Sequence, residues 1–103
     1  MSKYLVNWEI DMSKMPDDTQ ERVAVIMQLI EATQASVSDG RTADWGQFVG
    51  GNKGYGISEK DATETFKNLQ QFAPYVKFDV QEVMSIDQVS KAFQELVEAM
   101  KQG

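Results

Sequence analysis

Asn7, Glu9, Trp45, Gln47, Asp79 and Gln81 are the side chains around which any chemistry of this sequence has to be sought. The chain has no histidine and no cysteine, which removes thiolate nucleophiles, Cys/His zinc sites and every imidazole acid or base. Proton transfer is left to carboxylates, lysine, tyrosine, hydroxyls and amides. Glu9 and Asp79 each occupy a polar position of an alternating apolar run; on adjacent strands they could share one proton, with one carboxyl raised toward neutral pH. The simpler reading sets these acids against Lys77 or against a cation from a second copy. Asn7 and Glu9 on one strand, Trp45 and Gln47 on another, and Asp79 and Gln81 on a third are expected to border Gly54 and Gly56, where missing side chains leave a depression that a small ligand can enter. The same glycines are explained without a ligand if Trp45 lies across them, or if they relieve sheet twist.

The remaining motifs carry less. Gly50 to Gly56, GGNKGYG, has the glycine content of a phosphate loop without its spacing, and it does not lead from a strand into a helix. Asp17, Asp18 and Glu21 are helix N-terminal charges before they are a cation site, so no metal and no cofactor is expected. The methionines are scattered and read as gap-filling core. With 16 acidic against 10 basic residues the formal charge is −6, which repels phosphate backbones and argues against nucleic acid as a partner. The first residues, MSKYLVNWEID, fit neither a signal peptide nor a membrane span. A soluble, cytoplasmic chain away from membranes is the expectation, and residues 1–103 are expected to form a single domain.

The elements that must position these side chains follow from periodicity. Lys3 to Ile10 alternates as a first strand. Pro16-Asp17-Asp18 opens a helix that runs to Asp39-Gly40 with Val23, Ile26, Met27, Ile30 and Val37 inward. Ala43 to Ser58 reads as a β-hairpin turning at Gly51-Asn52, with Phe48 opposite Tyr55 and Trp45 opposite Ser58. Ser58 to Asp61 resembles a capping box for a second helix, whose stripe Ala62, Phe66, Leu69 and Ala73 is inward and which Pro74 stops. Tyr75 to Met84 is a fourth strand with a bulge or end near Glu82. Ser85-Ile86-Asp87 starts a third helix with Val89, Phe93, Leu96, Val97 and Met100 inward.

The order β-α-β-β-α-β-α predicts an α+β domain of the ferredoxin-like βαββαβ type with an extra C-terminal helix. Its four-stranded antiparallel sheet has strand order 4-1-3-2 and helices on one face. The expected helix side carries Tyr4, Val6, Trp8, Ile10, Phe48, Tyr55, Ile57, Val76, Phe78 and Val80. The open side carries Leu5, Asn7, Glu9, Trp45, Gln47, Val49, Lys77, Asp79, Gln81 and Val83. A tryptophan with Leu5, Val49 and Val83 on a flat sheet makes an apolar patch that a partner would cover. Leu5, Trp45, Val49 and Val83 are therefore the expected homodimer contacts.

Gly54 to Ser58, GYGIS, and Asp61 to Val83, DATETFKNLQQFAPYVKFDVQEV, form a glycine-flanked strand, short helix, aromatic turn and valine-closed strand. In this the chain resembles small uncharacterised members of the dimeric α+β barrel superfamily, in which two ferredoxin-like sheets pack face to face as a homodimer. The resemblance spans nearly the whole chain and lies in packing patterns. With it comes the expectation of a homodimer through the open sheet face that holds a small apolar or aromatic ligand between its subunits. Two alternatives come with it: a cofactor-independent oxygenase or isomerase, for which Asn7, Trp45 and Tyr55 are the fitting residue types, and a ligand-sensing regulatory module. Superfamily chemistry that depends on histidine is out of reach of this chain.

Overall fold

The structure is a computed structural model that describes residues 2–102. It consists of β1 (Tyr4–Ile10), a single 3-10 turn (Met12–Lys14), α1 (Thr19–Ser38), β2 (Asp44–Gln47), β3 (Lys53–Ser58), α2 (Ala62–Gln70), β4 (Val76–Glu82) and α3 (Ile86–Gln102). The four strands make one antiparallel sheet ordered β2-β3-β1-β4, the ferredoxin-like arrangement with a C-terminal helix added.

Each helix starts where a side chain can satisfy the first free amides. Asp18 accepts the Glu21 N–H at 3.0 Å and Asp61 accepts the Glu64 N–H at 2.8 Å, so both crossover helices have carboxylate N-caps beside the positive end of the helix dipole. The second helix thus begins at Ala62, and the hydroxyl of Ser58 is used elsewhere: it pairs with Thr65 Oγ1 at 2.7 Å, both residues being buried. α1 ends at Ser38 with Asp39 as its C-cap, followed by Gly40 at φ +85°, the left-handed position glycine tolerates.

The hairpin turns through Val49 to Asn52 rather than through Gly51-Asn52 alone. Phe48 N–H donates to Lys53 C=O at 2.9 Å, and the positive φ values fall on Gly51 and Asn52, the residue types that accept them. Trp45 therefore faces Gly56 and Gln47 faces Gly54. This register is displaced by two residues from the expected one, which leaves the sorting of side chains within the hairpin unchanged.

How that hairpin meets β1 differs from expectation. Val6 is opposite Gly56 and Trp8 opposite Gly54 on β3; on β4, Val6 is opposite Val80, Trp8 opposite Phe78 and Ile10 opposite Val76. The side of the sheet with Val6, Trp8, Ile10, Val76 and Phe78 consequently holds Trp45 and Gln47, whereas Tyr55 and Ile57 share the opposite side with Leu5, Asn7 and Glu9. The cause is steric. A Cβ on Gly54 would lie 2.5 Å from Cζ2 and 2.6 Å from Cε2 of Trp8, so only glycine leaves room for the Trp8 indole. β4 runs without a bulge to Glu82, opposite Tyr4, and ends there.

The helices also bury other faces than expected. α2 turns Thr65 inward and leaves Phe66 exposed, and Phe72 in the turn that follows is buried. Val23, Met27, Ile30 and Val37 of α1 are exposed, and so are Phe93, Leu96, Val97 and Met100 of α3. Among the described residues the buried apolar side chains are Val6, Trp8, Met15 and Phe72.

Candidate functional site

Between the sheet and the two crossover helices lies a cavity of about 620 Å³, inside the size range of small-molecule sites. Its sheet side is built around two indoles. Trp8 and Trp45 stack with ring centroids 5.3 Å apart and planes at 7°. Trp8 Nε1–H donates to the backbone carbonyl of Tyr55 at 3.3 Å, which uses its one polar group and presents the ring as an apolar plate. Gly56 lies beneath Trp45: a Cβ there would meet Trp45 Cδ1 at 3.8 Å, ordinary contact. Phe72 and Phe78 close one end, edge to face, with centroids 6.0 Å apart. Ile26 and Leu29 of α1 and Leu69 of α2 supply the aliphatic wall.

The polar lining is confined to uncharged groups. Ser36, 1% exposed, pairs through Oγ with Thr42 Oγ1 at 2.7 Å and donates to Asn68 Oδ1 at 3.2 Å. Asn68 Oδ1 also accepts from Gln71 Nε2 at 2.7 Å. With the amide oxygen used twice, the Asn68 nitrogen is the donor left for a guest. Thr33 Oγ1 bonds back to the Leu29 carbonyl at 2.8 Å, and Gln47 reaches the lining from β2. Among the described residues the lining contains no Asp, Glu, Lys, Arg or Tyr.

The six sequence-selected residues divide between the two sides of the sheet. Trp45 and Gln47 line the cavity. Asn7, Glu9, Asp79 and Gln81 lie on the opposite, open side, opposite Tyr55, Lys53, Asn7 and Leu5 respectively. Gly54 and Gly56 are bordered by Trp8 and Val6 instead of Asn7 and Glu9. Glu9 is flanked by Lys77 on β4 and Lys53 on β3, the latter with Nζ 4.0 Å from Glu9 Oε2; Asp79 faces Asn7. Glu9 therefore sits in a lysine-carboxylate ladder, and no two-carboxylate arrangement forms. Asn7 and Tyr55 are cross-strand neighbours, with Trp45 on the far side, so the Asn7, Trp45 and Tyr55 set does not converge.

Of the four expected dimer contacts, Leu5 is on the open side, Val83 follows β4 and pairs with Lys3 through its N–H at 2.8 Å, Val49 is fully exposed at the hairpin tip, and Trp45 is in the cavity. On the open side Tyr55 Oη donates to Asp44 Oδ2 at 3.0 Å. That hydrogen bond, reinforced by the Asp44 charge, holds the phenol above its ordinary ionisation range.

Trp8, Ser36, Thr42 and Asn68 are the site residues that the sequence reading passed over. Ser36 had a usable signal: Ile26, Leu29, Thr33 and Ser36 occupy one face of α1, and a small hydroxyl deep on an apolar face must find a polar partner. Among the described residues no group of three or more acidic or other ligating side chains could hold a metal ion, and no helix is long and apolar enough to cross a membrane.

Residues 2–97 match the family model described as a domain of unknown function (DUF3303), and the chain belongs to that family. No curated protein matches the chain.

Proposed function

Starting from that membership, which fixes a family and no activity, we propose that this chain is a binding domain for a small, neutral, largely apolar or aromatic molecule held between the sheet and the two crossover helices. The observation that carries the reading is the cavity lining: a stacked indole pair for a flat guest, aliphatic walls, and a few uncharged hydrogen-bonding groups gathered near Asn68. Such a lining suits a neutral ring with one acceptor, and it disfavours ions, whose desolvation no charge here would offset. Binding is favoured over acid-base catalysis because proton transfer needs a titratable group in reach of the guest. A ligand-sensing role is the same reading with an output attached. Kinship with the dimeric α+β barrel superfamily is supported by the strand order and the one-sided helices. We also propose a homodimer as the working form and a cytoplasmic location.

The chain's two tryptophans, Trp8 and Trp45, both line the cavity, so tryptophan emission reports on this site alone. Titration with the neutral probe N-phenyl-1-naphthylamine should quench tryptophan emission saturably as probe emission rises. Trp45→Ala should weaken binding by roughly 2- to 13-fold, the equivalent of losing one aromatic stack of about 0.5–1.5 kcal/mol. Transfer that fails to saturate, or that Trp45→Ala leaves unchanged, removes the reading.

A further inference from the structure

α3 starts at a reciprocal cap and then extends into solvent. Ser85 Oγ accepts the Gln88 N–H at 3.1 Å, and Gln88 Oε1 accepts the Ser85 N–H at 2.7 Å, the capping box that satisfies two amides at the start of a helix. From Ser90 to Gln102 every residue is exposed. The chain is correspondingly long, 67 × 25 × 23 Å with a radius of gyration of 18.1 Å, where a compact domain of this length has about 13 Å. Yet α3 is not patterned for water. Ile86, Val89, Phe93, Leu96 and Met100 recur at alternating steps of three and four, with Val97 beside Leu96, the seam of a helix that packs along another helix.

α1 carries a seam of the same period. Val23, Met27, Ile30 and Val37, with Gln34 between the last two, recur at steps of four and three, and the four apolar members are 43% to 53% exposed. At roughly 100° per residue this stripe lies about a quarter-turn round α1 from Ile26, Leu29, Thr33 and Ser36. It therefore runs along the flank beside the cavity mouth, where Ile30, Gln34 and Val37 also belong to the lining.

We infer that two copies of this chain exchange α3, each helix lying along the α1 flank of the other copy in a reciprocal two-fold dimer. Only Val83 to Ser85 join β4 to α3, and α3 lies away from its own body with its seam exposed. The areas also fit. Ile86, Phe93, Leu96, Val97 and Met100 are 46% to 79% exposed, which gives each α3 on the order of 500 Å² of surface to bury and the receiving flank a similar amount. Two exchanged arms then remove about 2,000 Å², enough for a specific, stable interface, and the arrangement is self-complementary as a two-fold contact requires. The arm would also roof the cavity mouth; that part rests on the binding reading, whereas the exchange itself does not.

The chain has no cysteine, so introduced ones report cleanly. Sedimentation velocity at micromolar concentration should give twice the 11.6 kDa chain mass. Phe93→Asp and Met27→Asp should each give monomers that keep the far-ultraviolet circular dichroism of the parent, since both side chains are exposed. Mixing Met27→Cys with Phe93→Cys and a short bismaleimide should link one chain to the other. A monomeric parent, linkage found only within a doubly substituted chain, or a dimer that survives Phe93→Asp overturns the exchange. The last result would assign the dimer to the open side of the sheet. Loss of probe binding with the dimer intact would instead sink the cavity reading alone.

Discussion

Gly54→Ala and Gly56→Ala make a paired test of the two-indole platform, because the structure gives them opposite consequences. Neither glycine needs a positive φ, so the backbone tolerates alanine at both, and space alone decides. At Gly54 the new methyl would fall 2.5 Å from Trp8 Cζ2 and closer still to the Gly46 carbonyl oxygen. The indole is buried and the carbonyl is fixed in the β2–β3 ladder, so neither can yield cheaply. Overpacking of this kind costs typically 1–3 kcal/mol, and the backbone contact places Gly54→Ala at the upper end, about 3 kcal/mol. For a domain of this size that lowers Tm by roughly 12–24 °C. At Gly56 the nearest atoms are 3.8 Å away, ordinary contact, and removing a glycine from the unfolded chain favours folding by about 0.4–1 kcal/mol. Thermal unfolding followed by circular dichroism should therefore show a large fall for Gly54→Ala and no change or a small rise for Gly56→Ala. The near-ultraviolet signal of the stacked indoles should be altered only by the first. Equal effects, or the reverse order, would mean that Trp8 does not lie over Gly54, and the cavity side of the sheet would be misassigned.

Three further outcomes follow. Asp61→Ala removes the α2 N-cap and should cost about 1 kcal/mol in urea denaturation, and Ser58→Ala, which leaves Thr65 Oγ1 only its 3.4 Å bond to the Lys60 carbonyl, should cost about 0.5–1.5 kcal/mol; a Ser58 cap would instead leave Asp61→Ala silent. Asp44→Asn should lower the pH at which one of the three tyrosines ionises, read by ultraviolet absorbance. The Tyr55 phenol is raised from its ordinary 10.0 chiefly by its hydrogen bond to Asp44, so its contribution to stability is present below about pH 10 and lost as pH rises through the folded value. Glu9→Gln should leave probe binding unchanged, because Glu9 lies in the lysine ladder on the side of the sheet away from the cavity; weakened binding would return that carboxylate to the site.

Much of the fold could be read in advance because local chemistry and period agree along the chain. The alternation in Tyr4 to Ile10 and in Val76 to Val80, the acids at Asp17 and Asp18, Gly40 after α1 and Pro74 after α2 each point to one element or boundary. Together with the hairpin they leave one strand order. What local pattern does not contain is the phase between separately formed pieces. The hairpin sorts Trp45 and Gln47 from Tyr55 and Ile57 in either register, yet nothing within it says which set faces the helices. Apolar content favoured Tyr55 and Ile57 with Phe48, and that choice carried Trp45 to the wrong side together with the candidate site.

The phase is set by volume rather than polarity. Trp8 stands at a cross-strand position whose partner must be small, and the sequence offers Gly54 and Gly56 at alternate positions of the facing strand. Placing Trp8 over either glycine puts both glycines, and hence Trp45 and Gln47 across from them, on the Trp8 side for a turn of two or of four residues. The same reasoning explains why the inward assignment of α3 failed while its period was right. An apolar stripe at helical spacing demands a cover but does not say whose, and α3 leaves a short capped connection with its seam uncovered. Two such stripes on one chain, on α1 and on α3, neither of them buried, are more simply satisfied between two copies than within one.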